Sequence, residues 1–197
     1  MLLAHSANNF VLYTNLSWSP SFYAEKYGLQ VRDSAILLVT PAIFGAICGL
    51  VAGSLAESMI QKLGGTTDET VTQVRKFFQG IALYGPALCL ATLAWHVPDE
   101  PWVAQSLLTV SVGLQAFNAA GYGAANQEKA GEKWTGLLYS ITSLPSVMVG
   151  TLAVYVTGQI LDLTHQDWSY VFCLSSCAAA VGATAFVVLY ESRREFD

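Results

Sequence analysis

The chain has 197 residues, of which 53% are hydrophobic and 12% are charged, and its mean hydropathy is +0.45. A soluble domain usually carries about 25% charged residues, so this composition argues against a soluble globular protein and favours a membrane bundle. The net charge of −5 comes without a basic patch, which leaves nucleic-acid binding without support.

Charged residues fall in short clusters, and six uncharged windows separate them, at 1–24, 34–56, 77–98, 101–127, 134–161 and 168–190. A hydrocarbon core about 30 Å thick needs roughly 20 helical residues. A charge at the centre of a membrane helix costs roughly 2.5–3.5 kcal/mol on insertion scales. The pattern predicts an all-α membrane protein in which residues 1–197 form a single bundle of six transmembrane helices, at about 3–23, 34–60, 76–97, 102–125, 134–161 and 168–190.

Helix one begins at membrane level with no polar segment before it, which leads us to expect a missing upstream part of the protein. At 100° per residue, several of its polar side chains project to one side. They are His5, Asn8, Asn9, Asn15 and Ser19.

Helix two carries glycines at every fourth position, namely Gly45, Gly49 and Gly53. Small residues at this spacing let two membrane helices approach closely. We expect these three glycines to pack helix two against a neighbour.

Basic residues are distributed unequally between the connecting segments. The segments 57–76, 128–133 and 191–197 hold seven Lys and Arg residues, whereas the opposite side holds only Lys26 and Arg32. Cytoplasmic loops of membrane proteins are enriched in Lys and Arg. Both termini are therefore expected on the cytoplasmic side, or on the equivalent stromal side of an organelle membrane.

Helix four carries a second polar stripe, formed by Ser111, Gln115, Asn118, Tyr122 and Asn126. Polar groups in lipid must find partners. The two stripes either line a substrate pathway between helices one and four, or form ordinary interhelical hydrogen bonds. For the pathway, the candidate residues are His5, Asn8, Asn9, Asn15, Gln115, Asn118 and Tyr122.

The sequence shows no group of residues typical of a catalytic site. His5, His96 and His165 lie near three different window ends, and the four cysteines lie inside apolar windows, where a thiol acts as a small apolar side chain. No metal site, catalytic triad or cofactor motif is evident. We therefore expect a protein that is not an enzyme and that needs no metal or other cofactor.

Short motifs along nearly the whole chain resemble the carboxy-terminal half, helices seven to twelve, of a major facilitator superfamily transporter. The closest similarity is to the anion:cation symporter family, which includes sodium-dependent phosphate transporters, sialin and vesicular glutamate transporters. The segments that carry it include Asn8-Asn9-Phe10, Leu16-Ser17-Trp18-Ser19-Pro20, Gly53-Ser54-Leu55-Ala56-Glu57, Val74-Arg75-Lys76, Ala116-Phe117-Asn118, Gly121-Tyr122, Asn126 and Thr157-Gly158.

This resemblance implies half of a twelve-helix bundle that works by alternating access. The implied cargo is inorganic phosphate or an organic anion, coupled to sodium or protons, and the implied partners are the lipid bilayer and a missing amino-terminal half or a second half-transporter. Where the family motif before helix eleven has an acid and an Arg-Tyr pair, this chain has Lys129 and Lys133-Trp134. These departures leave an alternative open, a non-transporting assembly or regulatory module derived from a carrier.

The family's cytoplasmic loop between helices eight and nine corresponds to residues 53–76. Glu57 stands where the family usually has Asp, and Arg75 and Lys76 open the next helix. We interpret Glu57, Arg75 and Lys76 as a charge latch that holds one conformation and breaks in the other. Interfacial charges that only fix the topology are the alternative.

Overall fold

The computed structural model describes residues 1–30, 32–33, 37 and 39–192, and within that part the chain forms helices joined by turns, with no strand. The all-helical class is therefore confirmed for these residues. In chain order the elements are α1 (Leu2–Tyr27), α2 (Val39–Lys62), α3 (Asp68–Trp95), α4 (Pro101–Gln115), a 3-10 helix (Ala116–Ala119), α5 (Tyr122–Leu163) and α6 (Trp168–Leu189).

Local sequence explains where several helices begin and end. Gly28 ends α1 in the left-handed conformation with φ 67°, which glycine adopts without steric cost. Thr67 caps α3 by accepting a hydrogen bond from the Thr70 amide, and two acidic residues follow in the first turn, where the helix dipole favours them. Asp167 caps α6 in the same way through the Ser169 amide.

Four helical segments of the described chain are long and apolar enough to cross a membrane: α2, α3, α6 and the Lys133–Leu163 part of α5. The other two helices fall short for different reasons. Polar side chains lower the hydropathy of α1 although it has 26 residues, and α4 has only 15 residues. The sequence-based prediction of a multi-span helical protein is thus supported for four segments, whereas six spans remain a prediction.

One helix start differs from that expected, and another cannot be compared because it falls on residues outside the described ones. The predicted start of helix two at 34 falls partly on residues 34–36 and 38, which lie outside the described residues, and α2 begins at Val39. Helix three begins at Asp68 rather than near 76, because the Thr67 cap starts the helix within the polar segment.

Helix four is not the continuous element expected over 102–125. Its α-helical part ends at Gln115, the 3-10 helix follows, and Gly121 has φ −88° and ψ −104°. A new helix starts at Tyr122 and runs on, through a kink at Gly131 with φ 62°, to Leu163. The expected loop at 128–133 is therefore a kinked helical junction.

Buried residues form three clusters that fix how the helices pack. The largest cluster contains a group of aromatic side chains, in which Phe22 of α1 contacts Trp168 and Phe172 of α6 edge to face. Small residues allow a close approach of two helices, since a Cβ added to Gly182 of α6 would lie 2.3 Å from the Cβ of Ala7 in α1. The α1 and α6 backbones therefore meet where neither carries a large side chain.

The three glycines of α2 do not behave alike. A Cβ at Gly45 would lie 3.2 Å from Val112 of α4, and one at Gly49 would lie 3.8 Å from Ala116. Gly53 has nothing within 4 Å of such an atom, so the close contact expected there is absent. The reason is that Gly53 lies on an exposed face of α2, beyond the end of α4 at Gln115.

Candidate functional site

The polar stripes of α1 and α4 meet at Asn8 and Gln115. Both residues are buried, and Gln115 Nε2 donates a 2.9 Å hydrogen bond to the Asn8 carbonyl oxygen. This bond leaves Asn8 Oδ1 and Gln115 Oε1 buried without a hydrogen-bond partner in the described part of the chain. Buried polar atoms are usually paired with protein or water, so two unpaired oxygens at a helix contact favour a polar ligand or water there.

A second meeting point is the His5 cluster, which consists of His5, Tyr122, Asn126 and Thr142. Tyr122 Oη lies 2.5 Å from His5 Nδ1 and 3.1 Å from Thr142 Oγ1. Asn126 Nδ2 donates to the same Tyr122 oxygen at 3.4 Å. All four side chains are buried. The Tyr122 phenol oxygen therefore connects α1 to the parts of α5 on both sides of the Gly131 kink.

The break in helix four places Tyr122 in this cluster. Gln79 of α3 is fully buried, and its Oε1 accepts a 2.7 Å hydrogen bond from the Tyr122 amide, which caps the new helix. A Cβ on Gly121 would lie 2.8 Å from the Gln79 amide nitrogen, so only glycine fits beside α3 at this point. The Gln79 side chain therefore caps the start of α5, because Gly121 at the N-cap position has no side chain to do so.

One turn earlier on α3, Arg75 holds the same break through what we call the Arg75 clamp. Its Nη1 donates to the Ala120 carbonyl oxygen at 2.8 Å, and Nε donates to Glu128 Oε2 at 3.0 Å. Nη2 donates to Glu128 Oε1 at 2.5 Å, which makes the pair with the carboxylate bidentate. Arg75 thus ties α3 to the end of the 3-10 helix and to the first part of α5.

The latch predicted from the sequence is placed differently in this conformation. Arg75 pairs with Glu128, while Glu57 is exposed and takes part in neither of the two ion pairs of the described residues. Glu57 was the nearest acid in the motif, whereas Glu128 reaches Arg75 because helix four breaks. Lys76 is half-buried, and a role for Glu57 or Lys76 in another conformation stays a prediction.

Tyr190 lies just beyond α6 and is buried beside the clamp, with Lys129 Nζ 5.9 Å from its ring centre. Burial raises the pKa of the Tyr190 phenol to about 12, and the Glu128 carboxylate also raises it. The phenol therefore stays neutral at physiological pH.

A cavity of about 160 Å³ opens between α1, α2 and α4, and we call it the Asn15 cavity. Its walls are mostly apolar, with Asn15, Ser19, Tyr23 and Gln105 as the polar lining. Tyr23 Oη donates to Gln105 Oε1, and Ser19 Oγ donates to the Asn15 carbonyl oxygen. Asn15 Nδ2 has no hydrogen-bond partner within the described residues, so this amide is available to a ligand.

The remaining pathway candidates are less central. Asn9 is buried in α1, and Asn118 lies in the 3-10 helix with its Oδ1 unpaired among the described residues. The structure thus brings His5 to Tyr122 and Asn8 to Gln115, and it places Asn15 at a separate cavity. It contains no group of three or more potential metal ligands in the described ranges.

Sequence reasoning missed several residues of these sites. Thr142 lies inside a predicted apolar helix, where a single hydroxyl attracts no attention. Gln79 and Gln105 are isolated amides, and Glu128 belongs to a charge cluster that looked like a loop. The signal that could have found Thr142, Gln79 and Gln105 is that each is an uncharged polar residue within an apolar window.

Comparison with known proteins identifies relatives along most of the chain. Probable anion transporter 5, chloroplastic, of Oryza sativa subsp. japonica is 32% identical over 169 residues, which cover 86% of this chain and 34% of that protein. This chain is similar to anion transporters. The sodium-dependent phosphate transport protein 1, chloroplastic, of Arabidopsis thaliana is 29% identical over all 197 residues, which cover 36% of that protein.

The ascorbate transporter, chloroplastic, of Arabidopsis thaliana is 26% identical over 197 residues and 35% of its own length. The chain therefore spans about a third of the length of the curated relatives it matches. No family model matches the chain. The resemblance inferred from short motifs is confirmed at the level of anion transporters.

Proposed function

We propose that this chain forms the carboxy-terminal half of a secondary carrier that moves inorganic phosphate or an organic anion across a membrane. In this proposal all six helices span the bilayer, both termini are cytoplasmic or stromal, and the two halves of the carrier rock about a central site, coupled to sodium or protons. The observation that carries it is similarity along the full 197 residues to proteins named as phosphate and ascorbate transporters.

Uneven burial of the helices supports a missing partner. The most apolar stretches of α2 and of Lys133–Leu163 are each 22% buried, against 44% for α3 and 39% for α6. The weakly buried helices also contribute residues to the sites, since α5 supplies the Thr142 hydroxyl to the His5 cluster and the apolar Pro41 of α2 lines the Asn15 cavity. A second half-bundle against α2 and α5 would enclose these groups, while lipid would suffice for a purely apolar face.

Polar groups on α1, α4 and α5 support a pathway along this side of the bundle. From the His5 cluster, through the Asn8–Gln115 contact, to the Asn15 cavity, α1 presents polar side chains over much of its length. Interhelical hydrogen bonds alone contribute about 0.6 kcal/mol each in membranes, which is a weak reason to retain so many. Unpaired amide groups at the last two sites fit a path that solutes cross.

The first experiment measures the native protein in its own membranes, with an antibody raised against residues 191–197. A band well above the 21.2 kDa of this chain would place it within a longer carrier, and transport assays should then use that carrier. A band at 21.2 kDa would call for a separate partner half, found by crosslinking in the membrane.

The second experiment measures uptake of inorganic phosphate and of ascorbate into liposomes that contain the native protein. Q115L should reduce uptake because it removes the amide that joins α4 to Asn8. S106A, on an exposed position of the same helix, is the matched control and should leave uptake unchanged. If the wild-type protein takes up neither phosphate nor ascorbate, the result would favour the alternative, a non-transporting assembly or regulatory module.

A further inference from the structure

The membrane windows of this chain offer an anion few positively charged side chains. An anion that enters a membrane protein needs a positive partner or many donors, because burying an unpaired charge is very costly. The six uncharged windows contain no Lys or Arg. Two basic side chains of the described residues are buried, Arg75 and His5, and Arg75 is already paired with Glu128, whereas His5, which is 6% exposed, is in no ion pair with another described residue. A histidine becomes a cation only when it gains a proton.

Hydrogen bonding around His5 suits both protonation states. Thr142 Oγ1 lies 3.1 Å from the Leu138 carbonyl oxygen, to which it can donate, so its lone pairs remain free to accept. With neutral His5, the single Tyr122 proton points to Nδ1, 2.5 Å away. With protonated His5, Nδ1 donates to Tyr122, whose own proton turns to Thr142 at 3.1 Å. No hydrogen bond in the cluster is lost when the proton arrives.

Among the described residues, no carboxylate forms an ion pair with His5. From α5, the titratable side chains that face it are Tyr122 and Tyr139, whose ring centres lie 4.6 and 5.9 Å from the imidazole. Beyond α6, Tyr190 packs in the same cluster of buried residues as Tyr122. The nearby charges include the amino group of Met1 at the start of α1, Lys129 over the Tyr190 ring, and the Arg75–Glu128 pair. Neither ion pair of the described residues includes His5.

We propose that His5 is the site at which this bundle takes up a proton together with its anion, so that the protonated imidazole is the cation that holds the cargo. The proton comes from the solution on the loading side, resides on His5 while the anion is bound, and returns to solution when the anion leaves. This inference rests on the proposed carrier function and assigns its coupling to protons rather than to sodium.

Calorimetry of phosphate binding in two buffers of different ionisation enthalpy tests the proposal on the purified native protein. The number of protons taken up per bound phosphate should fall by about one in H5Q relative to wild type. Phosphate's own buffering is the same in both and cancels in the difference. H96Q makes the same change at an exposed histidine and should leave the number unchanged. H5R, with a permanent cation, should bind phosphate without the linked proton.

Uptake into liposomes gives a second readout. A proton gradient should accelerate phosphate uptake by the wild type, whereas H5R should keep phosphate exchange and lose the response to the gradient. Binding with the same linked proton number in wild type, H5Q and H5R would overturn the inference while leaving the carrier function intact. Uptake that follows a sodium gradient and ignores the proton gradient would also overturn it. If the wild type binds neither phosphate nor ascorbate, the proposed function fails, and the inference fails with it.

Discussion

The Arg75 clamp makes a specific prediction for R75K, which keeps the positive charge and removes the guanidinium fork. Arg75 reaches three acceptor atoms through three different nitrogens: the Ala120 carbonyl oxygen and both oxygens of Glu128. A lysine has one nitrogen at the end of a flexible stem and cannot span the carbonyl and the carboxylate together. We expect the segment from Ala116 to Tyr122 to open more often in this variant.

The magnitude follows from the bonds lost and from their exposure. A hydrogen bond to a charged group contributes about 1.5–3 kcal/mol to stability. The Glu128 side chain is 32% exposed, so water replaces part of what Arg75 provided and the loss is smaller than for a buried pair. Local stability should fall by about 1–2 kcal/mol, which raises the open population about 5–30-fold.

Hydrogen exchange measured by mass spectrometry in lipid nanodiscs reads this opening directly. Peptides that cover 116–122 should exchange faster in R75K than in wild type, while peptides from α6 should be unaffected. K76R, at the next position of α3, is the matched control and should exchange like the wild type. Equal exchange over 116–122 in R75K and wild type would show that the clamp does not hold the break.

Three further predictions concern stability. The free energy of unfolding of G182A should be about 1–3 kcal/mol lower than that of G53A, because the same added methyl group clashes at Gly182 and has free space at Gly53. Equal denaturation midpoints of the two variants would contradict the packing. Q79L should lower the free energy of unfolding by about 1–2 kcal/mol, because the Tyr122 amide loses its hydrogen-bond acceptor. An unchanged midpoint of thermal unfolding would argue against this role of Gln79. Tyr190, with its pKa raised from 10.0 to about 12, should stabilise the fold fully below pH 10 and lose this contribution as pH rises towards 12; Y190F should unfold with less dependence on pH in that range.

The membrane helices could be predicted because their length and lack of charge reflect the solvent they meet. The break at 116–121 could not, since Ala-Phe-Asn-Ala-Ala-Gly contains no proline and a single glycine is tolerated in a helix. Its cause is tertiary: Arg75 and Gln79 of α3 bond the backbone groups that the break releases.

The candidate site divides along the same line. His5, Asn8, Gln115 and Tyr122 could be found because each stands out as a polar residue at helical spacing in an apolar window. Their pairing depends on where helix four breaks, and therefore on contacts that no single window contains. Glu128 was missed as the partner of Arg75 because sequence proximity favoured an acid on the same loop.

The division of labour in the Arg75 clamp has a consequence for how this protein changes between species. Ala120 contributes its main-chain oxygen, which every amino acid possesses, so position 120 is free to vary wherever a small side chain fits. Positions 75 and 128 contribute side chains of opposite charge, 53 residues apart in the chain. In related sequences these two positions should therefore change together, and position 120 should show no such correlation with either of them.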